Sequence, residues 1–342
     1  MMIFLGCNYG MGKWVADERR PLYSGGHCRK WLSKTWACRS SQRVDFAYEK
    51  FRWQPKDCDL EEFQGSKFLQ RMRNKTLAFI GDSLGQQQFQ SLMCMTVGNE
   101  AIPHVIDVGK EYNLVKPHKK AHPNGWAYRF LTTNTTILFY WSPCLCDLVR
   151  FRRSKIAMHL DRPPAFLRKF LPRLNVLVLN TGHHWSPVKF HSNHWVIHVG
   201  GESTPSMDIG QARNFTIHSV VKWVDSRIQH HPSLIAFYRT ISPRHFSNGE
   251  WYNGGACDNT VPFMTKKNEI QTYKSSDLVP ATAVQGTRVK LLDVTALSEL
   301  RDEGHVSKYG VRAKHGIQDC LHWCLPGIPD TWNEILFAQL QS

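Results

Sequence analysis

The chain has 342 residues, 42% of them apolar, enough to bury a sizeable core in one or two domains. With 43 Lys and Arg against 28 Asp and Glu its formal charge is +15, so an anionic partner (nucleic acid, acidic lipid or acidic polysaccharide) is favoured over a cationic one. The bases are scattered apart from Arg150, Arg152, Arg153 and Lys155, and no homeodomain-like, zinc-finger or RNA-binding signature accompanies them, so no nucleic-acid partner is expected. No signal peptide is recognisable in this sequence and no apolar stretch nears the ~18 residues of a membrane span, so none of these residues is expected to cross a membrane.

Residues 1–65 are rich in Gly, Trp, Arg and Cys and lack any long periodic run. They predict a small module of short elements, with Trp14, Trp31, Trp36 and Trp53 gathered around disulfides and packed on the rest of the chain. No close Cys-x-x-Cys pair occurs there, which argues against zinc. The ten cysteines, with the sequons at Asn74, Asn134 and Asn214, favour an oxidising, secretory compartment and make those asparagines glycosylation candidates. The chain opens in Gly6-Cys7-Asn8-Tyr9, as though a targeting segment preceded it.

From residue 66 the pattern changes to one large α/β domain. Continuous apolar runs at Leu77–Ile80, Thr136–Trp141, Val176–Leu179, Leu234–Tyr238 and Val289–Leu292 predict strands of a parallel sheet covered on both faces. Helices are expected over Ser83–Met95, Pro163–Phe170 and Asn214–His230, with a short one in Asp293–Arg301. Residues 240–288 read as a long, mostly irregular connection, and 304–318 as loop.

Two strand ends stand out. The first run stops at Gly81-Asp82-Ser83 and a helical segment follows. Gly81 is expected to allow a sharp turn, and Ser83 then lies at the mouth of the helix, where free N–H groups collect. Its hydroxyl is either a helix cap or a nucleophile, and local sequence leaves both open. The other strand end reads Asn180-Thr181-Gly182-His183-His184-Trp185. In doubly wound sheets sites form beyond such carboxyl ends. Histidines continue at His191, His194 and His198 without an accompanying acid, so no metal site is expected.

Near the C-terminus Asp319 and His322 are three residues apart, so on a helical turn they would share one side. A carboxylate there can fix the imidazole tautomer while the other nitrogen faces a serine. Cys320 and Cys324 bracket the histidine, and tethering either elsewhere would hold the base in place.

Together these residues carry a resemblance. Gly81-Asp82-Ser83 with Asp319-x-x-His322-Trp323-Cys324-Leu325-Pro326-Gly327-x-Pro329-Asp330-x-Trp332-Asn333 resembles the plant trichome birefringence-like family of polysaccharide O-acetyltransferases. Cys7-x-x-Gly10, Trp53-Gln54-Pro55, Asn180-Thr181-Gly182-His183, Arg239-Thr240-Ile241-Ser242-Pro243 and Gly249-Glu250-Trp251 agree with it. The resemblance implies a three-layer α/β/α fold related to the SGNH/GDSL esterases, with an added cysteine-bearing lobe. It also implies a Golgi type II membrane protein whose anchor precedes this sequence, acting on cell-wall polysaccharide, most often xylan. Ser83 would be the nucleophile, Asp319 the orienting acid and His322 the base. The resemblance implies no bound cofactor, with an acetyl donor such as acetyl-CoA as co-substrate. Implied disulfide positions match Cys7 with Cys58 and Cys28 with Cys94, with Cys257, Cys320 and Cys324 in a C-terminal set.

For the oxyanion, the N–H of Ser83, the side chain of Asn180 and the N–H of Gly182 are candidates. Trp185 and Trp251 could stack on sugars, with His183 and Gln86 as further substrate contacts. The family commonly has arginine after the nucleophile, whereas this chain has Gln86-Gln87-Gln88, which offers hydrogen bonds but not a charged fork. The triad serves an esterase equally, and the glutamine run also makes a non-catalytic wall-polysaccharide binding protein conceivable.

Overall fold

The computed structural model describes residues 7–26, 28–98, 104–114, 124–151, 154–261, 269–270, 275–311 and 313–341. Strands β1 (Gly12–Ala16) and β2 (Phe51–Pro55) form an antiparallel ribbon. After α1 (Gly65–Arg71), β3 (Thr76–Gly81) leads into α2 (Ser83–Val97). Next come β4 (Val105–Asp107), β5 (Gly125–Phe130) and β6 (Thr135–Trp141), then a hairpin of β7 (Asp147–Arg150) and β8 (Ile156–His159). Helix α3 (Ala165–Phe170) precedes β9 (Val176–Leu179), followed by α4 (Pro187–Ser192), β10 (Trp195–Val199), β11 (Glu202–Ser203) and the long α5 (Ile209–Ile228). Strand β12 (Ile235–Arg239), β13 (Glu269–Ile270), α6 (Leu278–Ala283), β14 (Lys290–Leu292) and α7 (Thr295–Glu299) come next. The hairpin of β15 (His305–Ser307) and β16 (Asp319–Trp323) and the buried α8 (Ile328–Gln339) complete the order.

The main sheet has seven strands in the order β14-β12-β9-β3-β6-β5-β4. The five expected runs form its parallel part, and β3 is the middle strand of the seven. The sheet is nevertheless mixed, because β5 and β4 add antiparallel to β6. The physical reason is the short turn between Phe130 and Thr135, closed with Asn134 in the left-handed region at φ 52°. So few residues can only join antiparallel neighbours.

Side chains along each central strand alternate between two cores. Leu77, Phe79, Val176, Val178 and Phe237 face α2, α8 and the N-terminal module. Ala78, Ile80, Leu177, Leu179, Ala236 and Tyr238 face α3, α5 and α6. This is the three-layer α/β/α arrangement, and each large buried apolar side chain contributes about 1.5–3 kcal/mol. Trp14, Trp31, Trp36 and Trp53 join the first of these cores.

Several elements differ from expectation. Helix α5 begins at Ile209 rather than Asn214, because Asp208 and Gln211 cap each other's backbone N–H at 2.8 and 3.1 Å, a box that fixes the start five residues earlier. The stretch expected to be loop between 304 and 318 contains β15, which pairs antiparallel with β16. A second small sheet, β11-β10-β8-β7, flanks the loop after β9. Within the 240–288 connection, Ser247 pairs with Ala256 and Glu269–Ile270 pairs with β1; residues 262–268 and 271–274, like Arg152 and Arg153 of the basic run, lie outside the described residues.

Four disulfides form: Cys7–Cys58, Cys28–Cys94, Cys38–Cys324 and Cys257–Cys320. The C-terminal set is therefore not closed on itself, since Cys324 joins Cys38 of the N-terminal module. Cys144 and Cys146 are buried free thiols. Asn74, Asn134 and Asn214 are exposed, and the Asn134 amide donates to the Asn74 carbonyl at 3.1 Å. Among the described residues no helix is long and apolar enough to cross a membrane.

Candidate active site

The central strand β3 ends at Gly81, and Asp82 caps α2 with its carboxylate accepting the Leu84 N–H at 3.0 Å. This answers the cap-or-nucleophile question locally: the cap is Asp82, and Ser83 is the first helical residue with its hydroxyl uncommitted to capping. The need for glycine at Gly81 is not a turn dihedral, because Gly81 is absent from the positive-φ glycines. It is close approach. A methyl group on Gly81 would run into both the side-chain and main-chain oxygens of Asn180, and one on Gly85 into the same side-chain oxygen. The Asn180 amide in turn donates to Asp82 at 2.6 Å, so it cannot move aside without giving up a buried hydrogen bond. We expect Gly81→Ala to destabilise the fold by about 1–3 kcal/mol, read as a lowered urea midpoint at unchanged slope; an unchanged midpoint would show that the two strand ends are looser than described.

From the other end of the chain, β16 brings His322 to Ser83. His322 Nε2 lies 2.7 Å from Ser83 Oγ, and Nδ1 lies 2.9 Å from Asp319 Oδ2. The three residues predicted from sequence are thus in one hydrogen-bonded line. The local geometry is not the expected helical turn. Asp319 lies in an extended strand, and its Oδ1 accepts the backbone N–H of Leu321 at 3.3 Å and of His322 at 3.0 Å. That Asx-type turn, where the register with β15 shifts, folds the carboxylate back beside the imidazole. Desolvation pushes the Asp319 pKa up, but the charge and hydrogen bonds of His322 and the two N–H groups outweigh it and hold it at about 2. Asp319 is therefore an acceptor at any working pH, and it sets the tautomer of His322 with hydrogen on Nδ1 and the Nε2 lone pair toward Ser83.

Three contacts hold His322, and sequence reasoning missed two of them. Gln87, rather than Gln86, clamps β16: its Nε2 donates to the Trp323 carbonyl at 2.7 Å and its Oε1 accepts the Trp323 N–H at 3.1 Å. Gln86, one position earlier, is only partly buried. Trp36 stacks on the His322 ring at 5.5 Å between centroids and 27° between planes, so the N-terminal module forms one wall of the site. The signal for Trp36 was its place two residues before Cys38, whose partner Cys324 is two residues after His322. The third contact is that disulfide, with Cys257–Cys320 on the other side of the histidine.

The remaining candidates are spread along the loop after β9. His183 Nε2 donates to the Ser242 carbonyl at 2.7 Å and is held neutral by burial. It joins two loops beyond the sheet rather than pointing freely at a substrate. His184, against Trp141, is pushed down to about 4 by desolvation. Trp185 donates its indole N–H to Thr181 Oγ1 at 2.8 Å and packs on Phe190; it is half-buried. Gly182 is buried against the Ile241 side chain. Trp251, 37% exposed, is the most open tryptophan among the described residues, on the loop that Cys257 ties to β16. No group of three or more His, Cys, Asp or Glu among the described residues could hold a metal ion.

A Ser–His–Asp line at the carboxyl end of a central parallel strand defines a class of serine acyl enzymes on an α/β/α scaffold. Residues 60–339 match the PC-Esterase family, described as a GDSL/SGNH-like acyl-esterase family found in Pmr5 and Cas1p, and residues 5–59 match the PMR5 N terminal domain. The chain is 56% identical to protein trichome birefringence-like 14 of Arabidopsis thaliana over 98% of its own length and 86% of that relative. It is 52% identical to protein trichome birefringence-like 15 of the same plant, covering 98% of this chain and 70% of that one. The chain belongs to the trichome birefringence-like family, and its chemistry is of the acyl-esterase and acyltransferase type.

Proposed function

We propose that this protein is a serine-dependent O-acetyltransferase that moves an acetyl group onto hydroxyls of a plant cell-wall polysaccharide, with xylan as the acceptor. The carrying observation is the unbroken line from Ser83 Oγ through His322 to Asp319, at 2.7 and 2.9 Å. In the first half-reaction His322 Nε2 takes the Ser83 proton as Oγ attacks the acetyl carbonyl of a donor such as acetyl-CoA. The tetrahedral intermediate collapses to acetyl-serine, and the leaving thiolate receives that proton from His322. In the second, His322 takes the proton of a sugar hydroxyl, whose oxygen attacks the acetyl-serine carbonyl. Ser83 leaves as alkoxide and is reprotonated by His322.

The oxyanion needs donors fixed in advance. The Ser83 N–H heads α2, where no intrahelical acceptor exists. The Asn180 amide has one hydrogen on Asp82 and one left for this role, and the Gly182 N–H is the third donor. Trp251 is the sugar-stacking surface, with the half-buried Trp185 and the partly buried Gln86 further along the acceptor path, while His183 braces the loop behind them through Ser242. The basic surface, +15 in net charge, suits glucuronate-bearing xylan. Enzyme and acceptor meet in the Golgi lumen, with a membrane anchor upstream of the sequence described.

Intact mass spectrometry after incubation with an activated acetyl donor tests this. A single acetyl adduct, absent in Ser83→Ala and discharged onto xylan oligomers, is the expected result. Discharge into free acetate whether or not oligomer is present would make the protein an esterase. Absence of any adduct and of turnover, with oligomer binding retained, would leave a binding protein.

A further inference from the structure

Beneath His322 lies a second pair of histidines whose hydrogen bonds do not close if both rings are neutral. His245 Nδ1 and His305 Nε2 are 2.7 Å apart. Each remaining ring nitrogen faces a backbone carbonyl: His245 Nε2 is 3.2 Å from the Glu299 oxygen, and His305 Nδ1 is 3.2 Å from the oxygen of His322 itself. A carbonyl oxygen can only accept, so for both of these contacts to be hydrogen bonds both nitrogens must carry hydrogen. A neutral imidazole has one N–H, and each ring has then used its own. Two bare lone pairs would be left facing each other across the contact, which is repulsive. Keeping all three contacts as hydrogen bonds at once takes a third proton.

We propose that His245 and His305 share one extra proton and act as a singly charged pair that positions the catalytic base by gripping the main chain of His322. This rests on His322 being the base. The pair joins three segments. His305 stands opposite Trp323 in the β15–β16 hairpin. The His245 backbone N–H donates to the Cys320 carbonyl at 3.0 Å, and its ring reaches the end of α7. Protonated, the pair fastens both to β16 on either side of His322. Deprotonated, the rings must part or one must give up its carbonyl.

The surroundings supply both support and opposition. Trp323 stacks on His305 at 3.9 Å and 20°, and meets His245 edge-on at 6.0 Å; its π face attracts a cation. Asp302 near His245 and Asp319 near His305 favour the charge. Against it stand the Arg43 guanidinium, which donates to the His305 carbonyl at 2.7 Å, and His322. Glu299 is half-buried, Arg301 and Glu303 are a buried ion pair at 2.7 Å, and Arg244 is paired with Glu250. Desolvation lowers the proton affinity of each ring taken alone; a proton shared across one short contact belongs to the pair.

The grip exists below the pH at which the shared proton leaves and is lost above it, so activity gains an alkaline limb beside the acid limb on which His322 becomes protonated. Imidazole ¹⁵N spectra of the full chain, assigned with His245→Gln and His305→Gln, count the protons. The expected result near pH 6, about the range where histidine titrates, is three protonated nitrogens over the two rings, lost in one coupled step. One N–H per ring throughout about pH 5 to 8 would overturn the proposal.

The activity arm uses His245→Gln, whose amide can donate to His305 Nε2 without charge. It should keep kcat within about 3-fold and lose the alkaline limb, whereas His245→Leu should lose about 10-fold in kcat with KM unchanged. An alkaline limb that persists in His245→Gln would also overturn the pair. The proton count is independent of turnover: a fully active Ser83→Ala would sink the triad, and the spectra alone would then decide the pair.

Discussion

Ser83→Ala and His322→Ala should each lower acetyl transfer by at least about 10⁴-fold, and the double variant should be no slower than the worse single one. The expectation comes from the geometry of one line of hydrogen bonds. Without His322 the Ser83 hydroxyl has no base 2.7 Å away, and without Ser83 the base has no nucleophile to activate. Removing either removes the same event, so their costs do not add. Residual activity is then the part supplied by oxyanion donors and binding alone. The measurement is kcat for transfer to xylan oligomers in the two singles and the double. Losses that multiply would mean two separate contributions, and the line would be a structural contact only. Asp319→Asn completes the series. With its carboxylate held at about 2, Asp319 is ionised in the working enzyme, and the amide both removes that charge and can present a donor to Nδ1.

Replacing Cys38 and Cys324 together by alanine should destabilise the protein by about 4–5 kcal/mol, near the top of the range for one disulfide. The two residues are 286 apart, and in the chain-entropy account a longer closed loop leaves more freedom to the unfolded state once the bond is gone. The same change should lower kcat, because Cys324 is two residues from His322 and Trp36, two before Cys38, stacks on the imidazole. The Cys7–Cys58 bond closes a loop of 51 residues entirely within the N-terminal module, so removing it should lower stability without a comparable effect on kcat. Urea denaturation and steady-state kinetics on the two pairs of variants decide this. Equal losses of kcat would show that the long bond has no particular hold on the base.

How much of this could be seen in the sequence depended on the range of the interaction. The five parallel strands were legible because each is buried on both faces and reads as an unbroken apolar run. Strands β4 and β5 were not, since β4 is only three residues long and Arg129 interrupts the apolar run from Trp126 to Phe130. The small β7–β8–β10–β11 sheet was hidden by strands of two to five residues. Ser83, Asp319 and His322 could be singled out by local motif, yet the shape that joins the last two could not. Spacing of three suits a helical turn, but Asp319 instead bends an extended chain by accepting two N–H groups, and only the pairing with β15 decides between them. The partner of Cys324 lay at the far end of the chain, and spacing does not determine connectivity. Of three consecutive glutamines, Gln87 does the clamping because the helical phase set by Asp82 points it at Trp323.

The bond between Cys38 and Cys324 also sets an order of events during synthesis. At about 5–20 residues per second, the ribosome needs tens of seconds to add the 286 positions that separate the two sulfurs. Throughout that time Cys38 has no native partner, while Cys7 and Cys28 find theirs at positions 58 and 94. A nascent chain therefore carries Ser83 early and His322 last. Whatever guards Cys38 from pairing with an earlier thiol in the interval is guarding the active site, since a wrong bond there would leave Trp36 and His322 on opposite ends of a chain that cannot close.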